Sequence, residues 1–188
     1  MTRRNKQKGS SKKKNKLKSK KILPDIDTIL VQADTALQIS DTETALQLFT
    51  YASNKLRNDI DTGRITGGAD GGVIKTTIEL AKVLGKLGEA KASLGDEDGG
   101  RKDFLEAVSL LENKDIFPHT SDDFTAKVVD VERAQIHETK SSIYLYLGQL
   151  CTAKEALDFY LNGIKELKIC HAFESVSESI SLQNTRYV

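Results

Sequence analysis

Charged side chains carry the chemistry open to this chain, and they are sorted into two blocks. Lys or Arg fills 11 of the first 21 positions with no acid among them, while the other 167 residues hold 17 basic against 27 acidic side chains. The net charge of +1 is therefore the average of a tail near +11 and a body near −10. An acidic body attracts a basic partner, and a basic tail suits a nuclear import receptor or the phosphates of RNA. Groups for bond-breaking do not assemble into a constellation. His119, His137 and His171 lie far apart, and Cys151 and Cys170 form no CxxC pair, which argues against a zinc site or a disulfide framework. In the stretch GGADGGVIKTT, Val73 and Ile74 separate the last Gly from Lys75 and no apolar strand precedes it, so it does not read as a phosphate loop. No Ser sits in a nucleophile elbow. The expectation is a binding protein, not an enzyme, with no metal or cofactor.

The elements that must position these charges read as helices. Residues 1–21 have almost nothing to bury and are expected to be a disordered tail. From Pro24, apolar residues at Ile26, Ile29, Leu30, Ala33, Ala36 and Leu37 recur at helical spacing. Ser40 and Glu43 have the spacing of a capping box for a second helix through Ala45, Phe49, Ala52 and Leu56. Thr76 with Glu79, and Thr152 with Glu155, have the same spacing before later apolar stripes. No stretch alternates with period two, so no sheet is expected. With 6% aromatic content the core must come from Leu, Ile and Ala. No run approaches the length of apolar residues that a membrane span needs.

Three helix pairs, over about 24–57, 76–113 and 122–168, fall into one frame of small residues at the helix crossings and an aromatic on the second helix. Ala33, Ala45, Phe49 and Ala52 fill it in the first pair, Gly88, Gly100, Phe104 and Ala107 in the second. Ala156 and Tyr160 fit in the third, where Tyr144 is too large for a close crossing. This is the pattern of tetratricopeptide repeats, although the frame advances by 55 and then 56 residues, well beyond a 34-residue unit. The surplus falls in 58–77, which reads as a mobile loop, and in 113–135, which lengthens the first helix of the third pair. The fold expected is all-α, a tetratricopeptide-repeat-like hairpin solenoid over 22–168; an ordinary helical bundle is the rival. Residues 169–188 show no further repeat.

Three segments, SKKILPDIDTILVQADTALQISDTETALQLFTYA, KLGEAKASLGDEDGGRKDFLEAV and IYLYLGQLCTAKEALDFYLNGIKEL, together resemble the fungal dedicated assembly chaperone of large-subunit ribosomal protein L-four. The resemblance spans about residues 12–168 and is most specific at PDIDTILVQAD and at LYLGQL followed by EALDFYLNGI. It implies a protein that binds the new ribosomal protein, shields its basic internal loop and accompanies it from cytoplasm to nucleus for assembly into pre-ribosomes. Because members of that family continue through further repeats, it also implies a C-terminally shortened form.

In a solenoid of this kind the first helix of each pair lines the concave surface. Counting along the frame places Asp27, Asp34, Glu89 and Glu138 there, with Lys82 as the one opposing charge. Several carboxylates in one groove would attract a Lys- and Arg-rich segment over about 8 Å at physiological salt. In the tail, Lys12, Lys13, Lys14 and Lys16 fit a short import signal, with non-specific RNA contact as the rival use. Absence of interleaved aromatics argues against sequence-specific RNA readout. A co-chaperone groove for an acidic C-terminus would want Lys and Asn where this chain has Leu30 and Asp34.

Overall fold

A computed structural model describes residues 25–64, 71–113 and 126–184. The described residues form six α-helices and no strand: α1 (Ile26–Gln38), α2 (Thr42–Asp61), α3 (Gly71–Ser93), α4 (Glu97–Leu111), α5 (Ala126–Gln149) and α6 (Ala153–Asn184). The import-signal lysines Lys12, Lys13, Lys14 and Lys16 lie outside the described residues.

Aspartates start three of the helices by accepting the free N–H groups of the first turn. Asp25 accepts from Thr28 N at 2.8 Å, Asp41 from Thr44 N at 3.2 Å and Asp96 from Gly99 N at 2.9 Å. The expected Ser40–Glu43 capping box is thus replaced by Asp41, while Ser40 takes the left-handed φ of 62° that turns the chain between α1 and α2. Gly95 does the same between α3 and α4 with a φ of 85°, a conformation that favours glycine. The expected helix start at Thr76 is also displaced. α3 begins five residues earlier at Gly71, and the Thr76 hydroxyl bonds back to the Gly72 carbonyl at 2.8 Å inside the helix. Consequently most of 58–77, read as a loop, is helix, with 65–70 outside the described residues. The long α5 takes up part of the second surplus segment, as the spacing implied. Residues 169–184, which showed no repeat, prolong α6.

Each helix packs on its neighbours in the chain, and α3 also packs on α5. Side chains tie like helices of successive hairpins together: Arg57 of α2 to Glu106 of α4 at 2.7 Å, and Arg101 of α4 to Glu155 of α6 at 3.2 Å. These pairs are exposed and add little stability. The core is one contiguous cluster running from Ile29, Ala33 and Phe49 through Leu84 and Phe104 to Leu147. Crossings within the hairpins are made by small residues. Ala33 and Ala45 are fully buried in the first, and in the second a Cβ on Gly100 would stand 2.7 Å from the Gly88 carbonyl oxygen. Tyr144 blocks that arrangement in the third hairpin. Close approach moves instead to Gly148, against whose Cα the ring of Tyr160 is pressed.

Candidate binding groove

An open groove of about 660 Å³ lies among α1, α2 and α3, reaching α5 at Gln135. Its floor is apolar, with Ile26, Leu30, Phe49, Leu56, Ile78 and Val83. Two of the four carboxylates expected to face a partner, Asp27 and Asp34, stand on its α1 edge, one on each side of Leu30. Helical spacing brings them there, since residues three and four apart share a face.

Charge in this groove is mixed, which corrects the expectation of an acidic hollow with a single opposing lysine. Asp59 and Glu79 join Asp27 and Asp34, but Arg64, Lys75, Lys82 and Lys86 line it too. Lysines follow the α3 edge because Lys75, Lys82 and Lys86 recur at seven- and four-residue spacing along one side of that helix. Lys82 reaches across to the Gln135 side-chain oxygen at 3.5 Å.

Glu79 has the most perturbed environment in the groove. Burial pushes its carboxyl above the ordinary glutamate value, the Asp27 charge pushes in the same direction, and Lys75 and Lys82 only partly oppose them. Asp27 and Glu79 thus line the same groove from α1 and α3, and it is burial first, then the Asp27 charge, that disfavours the ionised form of Glu79. A cation entering there would favour the ionised form of Glu79. Sequence reading missed Glu79 as a groove residue because the Thr76–Glu79 spacing looked like a cap.

The other two expected residues lie elsewhere. Glu89 is half-buried beside a smaller depression of about 260 Å³ shared with Phe104, Tyr146 and Leu150. It sits 4.0 Å from Lys86, and burial, followed by the charge and hydrogen bond of Glu89, raises the Tyr146 phenol above its ordinary value. Tyr146 stacks on Phe104 with ring centroids 5.5 Å apart, so this second depression marks the α4–α5 seam. Glu138 is exposed on α5 and lines neither depression.

His137 does not stand alone, as its isolation in sequence suggested. Its Nδ1 meets Glu166 Oε2 of α6, Lys140 bridges Glu166 at 2.8 Å and Glu112 at 3.1 Å, and the Tyr144 hydroxyl donates to Glu112 at 3.0 Å. Among the described residues no group of three His, Cys, Asp or Glu side chains is placed to hold a metal ion. Cys151 is half-buried and Cys170 buried, and neither forms a disulfide among the described residues. No described helix is long and apolar enough to cross a membrane. Compared with known protein families, curated proteins and solved structures, the chain matches none of them.

Proposed function

We propose that the three hairpins form a tetratricopeptide-repeat-like binding module that holds a basic segment of ribosomal protein L-four, and that the chain is the dedicated chaperone its sequence resembles. The observation that carries this reading is that Asp27 and Glu79 line one groove with an apolar floor, Glu79 in a half-buried setting that disfavours its charge. A half-buried carboxyl raised by burial and by a neighbouring aspartate is relieved by a guest Lys or Arg, whose ammonium or guanidinium pairs with both groups through charge-assisted bonds. The apolar floor accepts the aliphatic stem of such a side chain while its charged head meets the acidic edge. Lysines along the α3 edge set direction: they repel a uniformly basic strand there and favour one whose backbone carbonyls or acidic residues face α3. Shielding is stoichiometric, with no turnover. The basic tail then serves import through Lys12, Lys13, Lys14 and Lys16, leaving the groove free for the client.

Co-expression with the ribosomal protein tests this reading. Changing Asp27 and Asp34 to Lys is expected to send most of the client to the insoluble fraction, with Glu89→Lys and Glu138→Lys having a smaller effect. Binding should also weaken as salt rises. Full client solubility in the Asp27→Lys/Asp34→Lys variant would end the groove mechanism. Eleven basic residues in the tail support a second reading, an RNA-associated factor acting through that segment. Deleting residues 1–21 separates the two, because client binding survives the deletion in the first and function is lost in the second.

A further inference from the structure

The two ends of the hairpin row are built differently, and the difference points to a partner. Each hairpin has two apolar or small side chains that lie eight and eleven residues after its crossing residue, Ala45, Gly100 or Ala156. In α2 these are Ser53 and Leu56, 1% and 2% exposed with α3 packed on the helix; in α4 they are Val108 and Leu111, 7% and 4% exposed next to α5. In α6 the equivalent residues are Ile164 and Leu167, at 46% and 52%. Leu157 and Leu161, at 57% and 56%, extend the same face by about two more turns. The opposite end carries a sparser apolar surface: α1 exposes Thr28, Gln32 and Thr35 around Val31, with Ile39 exposed at its C-cap.

We propose that this face of α6 is a homodimer interface, in which two copies pair α6 against α6 antiparallel about a two-fold axis near Leu161 and Ile164. The mostly polar outer face of α1 argues against head-to-tail stacking, which would set the four-residue apolar stripe of one copy largely against the threonines and glutamine between Val31 and Ile39 of the next and would propagate without closing. Charge favours the symmetric pairing. Asp158 and Lys165 are both exposed on the flank of α6 farther from α5, and neither makes an ion pair among the described residues. In an antiparallel pair centred on Leu161 and Ile164, Asp158 of each copy falls opposite Lys165 of the other, so the contact is self-complementary in charge as well as in apolar surface. Leu157 of one copy then meets the stem of Lys168 of the other, which covers it while the ammonium stays in water. The interface lies on α6, away from the α1–α3 groove, and does not depend on what that groove holds.

Sedimentation equilibrium of the full chain reads this directly, with a concentration-dependent dimer expected. Leu161→Glu with Ile164→Glu should give a monomer with unchanged helix content and client binding, because both positions are exposed within the monomer. Asp158→Lys and Lys165→Asp should each weaken dimerisation about 3- to 10-fold, and the two together should restore it. A wild-type monomer at every concentration up to about 1 mM, the weak end of specific association, overturns the proposal. So does a dimer that survives the Leu161→Glu/Ile164→Glu change, or a charge swap whose two halves fail to compensate.

Discussion

The second and third hairpins solve the same packing problem with different chemistry. In the second, the helices cross with backbone against backbone: Gly88 and Gly100 face each other, and Phe104 is fully buried beside them. In the third, Tyr144 stands where Gly88 does, and its ring stacks at 6.2 Å on Phe159 while its hydroxyl reaches Glu112 at the end of α4. A polar cluster fills the widened space, with Lys140 between Glu112 and Glu166 and His137 on the far side of Glu166. The bulky residue thus excludes a close crossing but supplies a link to the preceding hairpin. Close steric fit, with one Lys91–Asp103 ion pair at 2.6 Å beside it, holds one hairpin, and a wider set of charges holds the next.

Gly100→Ala should break the steric half of that contrast most severely. Alanine is favoured over glycine in a helix by about 1 kcal/mol, and it stands at the corresponding Ala45 and Ala156, so propensity alone predicts stabilisation. The new Cβ would lie 2.7 Å from a backbone oxygen that cannot swing aside, so the α3–α4 crossing must open. A net loss of about 2 kcal/mol is expected in urea unfolding, in the range of overpacked cores. A gain in stability would mean that the two hairpins are not held differently.

Lys140→Met tests the polar half. It leaves Glu166, only 8% exposed, with His137 as its remaining ionic partner and is expected to cost about 2 kcal/mol. Adding Glu166→Met to it should recover most of that loss, because an uncompensated buried charge is worse than an apolar pair of similar size. Failure of the double variant to recover would mean the cluster contributes through shape rather than charge.

This contrast was half visible in the sequence. Helical periodicity showed the hairpins, and the small residues Ala33, Ala45, Gly88 and Gly100 marked the first two crossings, since steric demands leave a signature in residue size. Helix ends were less legible. A hydroxyl followed three residues later by a carboxylate also occurs inside helices, as Thr76 and Glu79 do in α3, and Asp41 rather than Ser40 holds the α2 cap. The continuation of α6 to Asn184 left no periodic trace because lengthening an existing helix needs no new nucleus. For the groove, Asp27 and Asp34 were found from the frame, but Lys75 and Lys86 were not, because α3 offers the groove a wider strip than a single row of positions. Glu138 lines neither depression, and its position was counted in the hairpin where Tyr144 had already broken the small-residue frame. The polar cluster joins residues up to 54 positions apart, from Glu112 to Glu166, and no local pattern announces such a set.

Acid titration gives the smallest and most selective test. Burial raises the Glu166 carboxyl, but hydrogen bonds from His137 and Lys140 outweigh it and hold the group below its ordinary value. A carboxyl depressed in the folded state contributes stability that is fully present above its unfolded pKa, about 4.3, and that is lost as pH falls through the lower folded value. The capping carboxyls Asp25 and Asp41 are likewise held low, by the hydrogen bonds they accept from Thr28 and Thr44, so the wild type loses stability in acid from several sites at once. Glu166→Gln should therefore make the decline in unfolding free energy below about pH 4.5 shallower without abolishing it. Gly100→Ala, which removes no titrating group, should lower the whole curve and change its acid slope less than Glu166→Gln does. An identical slope in Glu166→Gln and wild type would remove Glu166 from the charges that hold the third hairpin and return that role to the Tyr144–Phe159 stack.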